Sequence, residues 1–356
     1  MKRILAILLT ALLLVGLLTG CAAPANKTEP AEAETPAPEA TPEPAETPAP
    51  EATPEPVETP APEAIPDDTP VSPLMWKVTD VEGHTLYLFG TIHVGDERNE
   101  RVLERIAPVL ESCDALAVEF DIVAYGADVN AMMEDMAQFV LTDGSTITDY
   151  MPEELYDEVC DLLSQVGLMP GLFKRYNLSM WSQLVDEAMR ELYCPLETDF
   201  GMDNLLIHHA YDRGIPVLNV ESAAFQMELL NSFPDELNLL KIREELDTQD
   251  TYGDDLTELY ELWLSGDREE FWTMLEGETT EEEDGEEYTE EQIAMIEDYN
   301  RAMLDDRNLG MAERAKEYLA SGQTVFFAVG AAHMANEPGL VQLLTDAGYT
   351  VEAYEY

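Results

Sequence analysis

The sequence predicts an α/β (α+β mixed) protein with a central, mostly parallel or mixed β-sheet flanked by helices and with a largely helical middle insertion. Short apolar runs alternate with segments of helical periodicity from residue 75 to residue 121 and again from residue 203 to residue 356. Residues 130–275 between these two regions are mostly helical by pattern. Residues 22–73 contain scarcely a residue that could build a core, so the folded part is expected to be residues 74–356.

The first 20 residues read as a signal peptide. A positively charged MKR start precedes the apolar stretch ILAILLTALLLVGLL and the small-residue site LTGC. Leu18-Thr19-Gly20-Cys21 is similar to a bacterial lipobox, which implies cleavage before Cys21 and a lipid on its thiol. A plain signal peptide and an uncleaved anchor helix are the alternatives. The lipoprotein interpretation predicts a protein attached to the cell membrane and facing outside the cytoplasm.

Residues 21–73 are predicted to form a lipid-anchored, disordered stalk. TPAPEATPEPAE, TPAPEATPEPVE and TPAPEAIP follow one another from residue 35 to residue 66 with a period of 12. Such a Pro, Glu, Ala and Thr-rich segment stays extended and solvated. It would hold the folded part away from a membrane. The alternative is that the repeats bind the proline-recognition domain of a partner.

The chain is strongly acidic, with a formal net charge of −56. Residues 1–21 carry +2 and residues 22–73 carry −11, which leaves −47 for residues 74–356. Such a surface repels nucleic acid and favours cationic partners, metal ions or simple solubility. The run ETTEEEDGEEYTEE (278–291) is predicted to be a solvated insertion. A calcium-binding loop is the alternative there, but the alternating Asp and Asn residues of that motif are missing.

The cysteines leave two possibilities open. With Cys21 assigned to lipid, Cys113, Cys160 and Cys194 remain, an odd number at wide spacings. No C-x-x-C motif is present. One disulfide pair or three buried thiols are both compatible with this pattern.

The first elements of the folded part follow from local patterns. MWKVTD (75–80) and TLYLFG (85–90), separated by Glu82-Gly83, predict a hairpin. Residues 99–113 place apolar side chains on one helical face, and DALAVEFD (114–121) predicts a buried strand. Met-Pro-Glu-Glu at 151–154 marks the start of a helix in the middle region.

The later elements repeat the alternation of helices and strands. The predicted segments are a helix at 203–214, a buried strand at 215–222, a long helix at 293–322, a strand in TVFFAVGAAHM (324–334), a helix at 338–348 and a last strand at 349–356. This order predicts a largely parallel or mixed sheet, in which ligands bind beyond the carboxyl ends of the strands.

Two of the five histidines share one setting. LYLFGTIH and VFFAVGAAH each give an apolar strand followed by Gly-x-x-His, which places His93 and His333 just past the end of a strand. A glycine there is expected to let the backbone turn without a Cβ clash. The adjacent His208 and His209 lie on a predicted helix and cannot both face one site. Two structural histidines remain the alternative, but the matched pair predicts a shared site.

Carboxylates follow two other strands and complete a candidate metal set. Glu119 ends the strand of DALAVEFD, and Glu221 ends IPVLNVE. Imidazole and carboxylate groups together bind zinc, manganese, cobalt or iron. An N-cap of the next helix is the alternative for each glutamate.

These residues carry a resemblance to a known family. The resemblance rests on GTIH (90–93), Glu119 in VEFD, FGMDNLL (200–206), the VLNVE strand, DDRN (305–308) and AVGAAHMANEPGLVQLLTDAGYTVE (328–352). Together they resemble the TraB/GumN family, to which the Tiki metalloproteases belong, over about residues 75–356. One departure is Met-Ala-Asn-Glu-Pro-Gly after the second histidine, where a tighter glycine turn is common.

The resemblance implies a fold, a site and an activity. The fold would resemble erythromycin esterase-like and haem-binding ChaN-like α/β proteins. His93, His333 and Glu119 would bind one divalent cation (manganese, cobalt or zinc), with Glu119 or Glu221 as the proton acceptor. Arg307 matches a family arginine, and Asp203 and Glu221 match the middle motif. Arg307 and Asp203 are assigned to substrate binding, and Arg307 also to catalysis, where it would stabilise a carboxylate or the developing oxyanion. An ion pair with Asp305, Asp306 or a neighbouring helix is the alternative for Arg307.

Two classes of function are therefore expected. The first is a surface-anchored, metal-dependent hydrolase, with a peptidase acting on a peptide or protein substrate as the first expectation. The alternative is a non-catalytic lipoprotein that captures a metal, haem or a peptide. No H-E-x-x-H, G-x-S-x-G or phosphate-binding glycine loop is present, so other hydrolase and nucleotide motifs lack support.

Overall fold

The computed structural model describes residues 71–276, 288–335 and 338–356. The predicted signal peptide, Cys21 and nearly all of the predicted stalk lie outside these residues, as do most of the acidic run 278–291 and the Asn336-Glu337 departure. Across the described ranges, no helix is long and apolar enough to span a membrane.

The sheet has six strands in the order β4-β3-β5-β2-β1-β6. Their bounds are β1 Met75–Thr79, β2 Thr85–Thr91, β3 Ala115–Val118, β4 Val217–Asn219, β5 Val325–Gly330 and β6 Thr350–Ala353. The pairs β4/β3, β3/β5 and β5/β2 are parallel, whereas β1 is antiparallel to β2 and to β6. The predicted mixed α/β class and the β1/β2 hairpin are confirmed.

Helices fill the connections between these strands. In chain order they are α1 Arg98–Leu110, α2 Ile122–Ala127, α3 Val129–Ala137, α4 Glu153–Gln165, α5 Leu178–Tyr193, α6 Met202–Arg213, α7 Ala223–Asn231, α8 Asp235–Asp247, α9 Tyr252–Ser265, α10 Arg268–Glu276, α11 Glu290–Asn300, α12 Asp306–Ser321, α13 Ala332–Ala335 and α14 Leu340–Asp346.

The two faces of the sheet bury different residues because side chains alternate along a strand. On β5, Phe326 and Ala328 pack with α1, α6 and α9, whereas Val325, Phe327 and Val329 pack with α12 and α14. The fully apolar β5 is typical of a central parallel strand that is covered on both sides.

The middle region forms a helical layer with its own apolar core. Buried side chains from α4, α5, α7, α8 and α11 meet around Trp181, which is fully buried. The prediction that this region is mostly helical is confirmed by the run of helices between β3 and β5.

The long helix predicted at 293–322 is present but is not a uniform α-helix. A five-residue π-helical segment, Arg301–Asp305, joins α11 to α12. Buried residues of α11 such as Ile296 belong to the helical layer, whereas those of α12 such as Ala315 pack on the sheet. The helix therefore crosses from one core to the other at the π segment.

The strand before Glu221 and the cysteines differ from what the sequence predicted or left open. Residues 215–222 were predicted to contain a buried strand, but β4 is a three-residue strand with half-buried and exposed side chains. It lies at an edge of the sheet, where one side has no neighbouring strand. Cys113, Cys160 and Cys194 are all free, so no disulfide pairs them.

Candidate functional site

The carboxyl ends of four parallel strands lie side by side, and an ionisable side chain follows each strand. In sheet order these are Glu221 after β4, Glu119 after β3, His333 after β5 and His93 after β2. The side chains of all four are at least seven-eighths buried, since the most exposed of them, Glu119, is 12% exposed. The residues predicted from four separate strand ends therefore lie in one row along the carboxyl ends of the strands.

His93 is held by the start of α6. Its Nδ1 lies 2.8 Å from Asp203 Oδ2, and Thr91 Oγ1 donates to Asp203 Oδ1 at 2.7 Å. A carboxylate only accepts hydrogen bonds, so His93 carries a proton on Nδ1 and, in its neutral form, presents Nε2 as an acceptor. Both Asp203 oxygens are engaged by the protein, which makes Asp203 a support for His93.

The chain approaches itself closely where α6 begins. Met202 N–H donates to the Ile92 carbonyl at 2.8 Å, and a Cβ at Gly201 would lie 2.4 Å from the His93 carbonyl oxygen. Only glycine fits at that distance. The FGMD sequence is therefore what allows α6 to bring Asp203 to His93.

His333 is fully buried in the first turn after β5. Its Nδ1 lies 2.7 Å from Asn308 Oδ1, while the Asn308 Nδ2 group donates to the Pro338 carbonyl at 3.3 Å. This orientation of the amide places the imidazole proton on Nδ1. Nε2 then has no hydrogen-bond partner among the described residues and lies 3.8 Å from Glu119 Oε1.

Arg307 joins the two glutamates at the first turn of α12. Its Nη2 donates to Glu119 Oε2 at 2.5 Å and to Glu221 Oε2 at 2.8 Å, and its Nε donates to Glu221 Oε1 at 3.0 Å. The Arg307 side chain is 2% exposed. A sequence-based alternative paired this arginine with Asp305, Asp306 or a neighbouring helix, whereas the structure pairs it with the ends of β3 and β4.

The charges of this site are set by burial and by Arg307. Burial raises the pKa of Glu119, but Arg307, His333 and His93 outweigh it and hold that pKa far below the ordinary value of a glutamate. Burial and the Arg307 cation lower the pKa of His333 to about 3, so this imidazole is neutral at physiological pH. Burial lowers the pKa of His93, but Asp203 outweighs it and leaves the pKa raised.

The two motif glycines serve close packing rather than a turn. Neither Gly90 nor Gly330 has a positive φ, which corrects the expectation of a backbone turn. A Cβ on Gly90 would lie 3.0 Å from the Ala331 Cα, and Gly330 N–H donates to Glu119 Oε1 at 3.0 Å. The two Gly-x-x-His motifs therefore pack against each other, and one of them also touches Glu119.

The fit of these residues to a metal rests mainly on His333. No group of three or more His, Cys, Asp or Glu side chains forms a ready metal site within the part of the chain that the structure describes. The donor set is nevertheless appropriate, since each imidazole has its Nδ1 tied to an oxygen and Nε2 left as an acceptor. The 3.8 Å from His333 Nε2 to Glu119 Oε1 is too long for a hydrogen bond. It lies within the span of two metal–ligand bonds of about 2 Å each.

Comparison with known proteins gives the chain a family. The model of the TraB/PrgY/gumN family matches residues 74–353. The chain belongs to this family. The region that matches the TraB/PrgY/gumN model begins just before β1, ends with β6 and includes all the site residues described above.

Two curated relatives match about three quarters of this TraB/PrgY/gumN chain. The protein YbaP of Escherichia coli (strain K12) is 23% identical over 277 residues, which cover 76% of this chain and 92% of YbaP. YbaP of Shigella flexneri is 23% identical over 263 residues, which cover 72% of this chain and 87% of that protein. No solved structure matches the chain.

Two residues of the site were not predicted. Gln226 Nε2 donates to Glu119 Oε2 at 3.0 Å and to Glu221 Oε2 at 2.9 Å, and Asn308 orients His333. Asn308 stands beside Arg307 in DDRN, and Gln226 follows the Glu-Ser start of α7, so both had a local signal. His208 and His209 lie outside the site, and His209 Nε2 contacts Glu111 Oε1 at 3.1 Å on the surface.

Proposed function

We propose that this TraB/PrgY/gumN protein is a metal-dependent hydrolase, specifically a peptidase, that uses His93, His333 and Glu119 to bind one divalent cation. The observation that carries the proposal is the Nε2 atom of His333. It is fully buried, neutral and without a hydrogen-bond partner among the described residues, beside an ionised glutamate. An unsatisfied buried acceptor costs about 1–3 kcal/mol, which a ligand at this point would offset.

The bound cation would lower the pKa of a water molecule and polarise a substrate carbonyl. Asp203 and Asn308 hold the two imidazoles with their Nε2 atoms as acceptors. Arg307 keeps Glu119 ionised, so Glu119 supplies negative charge to the cation. Glu119 or Glu221, both of which accept hydrogen bonds from Arg307, would accept the proton of the water. Arg307 would also stabilise negative charge that develops on the substrate.

The proposed substrate class is based on the predicted location and on the kinship with Tiki metalloproteases that the motif resemblance implies. A signal peptide on residues 1–20, a lipid on Cys21 and a stalk over residues 21–73 would place the folded part outside the cytoplasmic membrane. Peptides and protein segments are the substrates available to a hydrolase there. Nucleic acid is disfavoured by the charge of −56 on the chain.

The test supplies manganese, cobalt or zinc to the full chain. Metal binding is measured by titration calorimetry, and cleavage of a peptide library is followed by mass spectrometry. We expect about one ion per chain and metal-dependent cleavage. His93→Ala and His333→Ala should each lose both properties, and Asp203→Asn should weaken metal affinity about 10–100-fold because it removes the support of a ligand.

His208→Ala is the matched control, because His208 is an exposed histidine of α6 that lies outside the site. It should leave both properties unchanged. A parent that binds metal through His333 but cleaves no peptide would be a sequestering protein, the alternative function. A parent whose metal affinity equals that of His333→Ala would contradict the proposed site altogether.

A further inference from the structure

Gln226 lies between the two buried glutamates of the site. One amide nitrogen, Nε2, donates to Glu119 Oε2 at 3.0 Å and to Glu221 Oε2 at 2.9 Å. Because carboxylate oxygens only accept hydrogen bonds, the amide must face them with its NH₂ group, and its orientation is fixed. Gln226 thus uses both of its N–H bonds on carboxylates of two different strands.

The sequence brings Gln226 to this point through the start of α7. Ser222 is the N-cap residue, and its side chain accepts from Phe225 N–H at 3.1 Å. Gln226 lies one turn further along the helix, where its backbone N–H donates to the Ser222 carbonyl at 3.2 Å. Glu221 directly precedes the cap, so the first turn of α7 places Gln226 beside Glu221. From there its side chain also reaches Glu119 at the end of β3.

The charge at these strand ends explains why a neutral donor suits position 226. Glu119 and Glu221 carry two negative charges, and Arg307 supplies one positive charge. Their Oε2 atoms lie 2.5 and 2.8 Å from the same Arg307 Nη2, so they are at most about 5.3 Å apart. Gln226 adds two donors without adding a charge, which stabilises the close carboxylates and leaves the trio with one net negative charge.

Gln226 also helps to set the orientation of the Glu119 carboxylate. Oε2 is engaged by Arg307 and Gln226, and Oε1 accepts from Gly330 N–H at 3.0 Å and faces His333. We propose that Gln226 is a positioning residue that fixes the rotamer of Glu119, with Oε1 held on the His333 side. The role of this orientation in metal binding rests on the proposed function. The positioning of Glu119 by Gln226 does not depend on a bound metal.

The Gly330 amide proton reports directly on the Glu119 rotamer, because a hydrogen bond to a charged acceptor shifts its resonance. The test uses the full chain with selective ¹⁵N-glycine labelling and no added metal. Gln226→Met keeps the length of the side chain and removes both donors. We expect its Gly330 resonance to move from the parent position toward that of Glu119→Gln. Gln226→Ala, which also lacks the donors, should move it as well and serves if the Met variant does not fold.

Gln165→Met is the control, because Gln165 is exposed on α4 and its side chain donates to the Asp161 carbonyl of the same helix. It should leave the Gly330 resonance in place. The proposal is overturned if folded Gln226 variants shift this resonance no more than Gln165→Met does. In a second measurement, Mn²⁺ titration, Gln226→Met should bind about 10-fold more weakly than the parent. A parent that binds none of manganese, cobalt and zinc would contradict the proposed function, and the Gly330 resonance would still decide the role of Gln226.

Discussion

Replacing Arg307 with methionine should lower the free energy of unfolding by about 3–5 kcal/mol, the usual cost of breaking a buried ion pair. Methionine fills a similar volume but leaves Glu119 and Glu221 without their shared cation. The two carboxylates are 12% and 9% exposed, so water cannot replace the guanidinium. Urea denaturation, followed by circular dichroism, measures the loss.

Arg314→Met on the same helix is the control for this prediction. Arg314 pairs with Glu317 at 2.7 Å, but the two side chains are 45% and 64% exposed, so its loss should cost at most about 1 kcal/mol. Arg307→Lys keeps the charge without the forked donors and should fall between the parent and Arg307→Met. Equal costs for Arg307→Met and Arg314→Met would show that the buried network contributes nothing to stability.

Glu245→Gln should stabilise the protein, and the gain should grow as the pH rises. Glu245 is 7% exposed in the helical layer, and neither of its carboxyl oxygens has a hydrogen-bond partner among the described residues. Burial and then Asp186 raise its pKa well above the ordinary value of 4.5, and Lys241 opposes this shift only in part. The folded protein therefore keeps a proton on Glu245 that the unfolded chain releases.

The sign of the pH dependence follows from that raised pKa. The contribution to stability is fully present below about pH 4.5 and is lost as the pH rises toward the folded-state pKa. Within this window each pH unit should cost the parent about 1.4 kcal/mol, a cost that the neutral amide of the Glu245→Gln variant avoids. The groups that face Glu245 are Asp186 on α5, Lys241 and Glu244 on α8, and Tyr252 on α9.

Urea denaturation from pH 4 to pH 9 measures this difference, and Asp247→Asn is the control. Asp247 lies on the same helix α8 but is exposed. Its replacement should leave the pH profile of the parent unchanged. If Glu245→Gln and the parent show parallel profiles over this range, Glu245 is ionised in the folded protein and the prediction fails.

The sequence was sufficient for the strand-end residues because their placement depends on topology alone. The carboxyl ends of parallel strands lie on the same side of a sheet, so residues that follow these strands must lie near one another. These residues are His93, Glu119, Glu221 and His333. The alternation of strands and helices was enough to predict that the strands are parallel. The mixed sheet and the helical middle followed from the same periodicity.

The pairings within the site required the fold. Arg307 lies 188 residues from Glu119 and 86 from Glu221, and no local pattern joins positions so far apart. Strand order is equally absent from periodicity, which is why β4 was predicted as buried although it lies at an edge. Gln226 and Asn308 lie near predicted site residues in the sequence, but only the fold shows which side chains they contact.

The π segment Arg301–Asp305 also limits how the length of this chain can vary. Each residue of an α-helix turns the next side chain by about 100°. Gaining or losing one residue between Tyr299 and Arg307 would therefore keep a helix but point position 307 elsewhere, while α11 and α12 remain fixed in separate cores. Surface loops tolerate insertions and deletions, but this stretch has to keep its residue count.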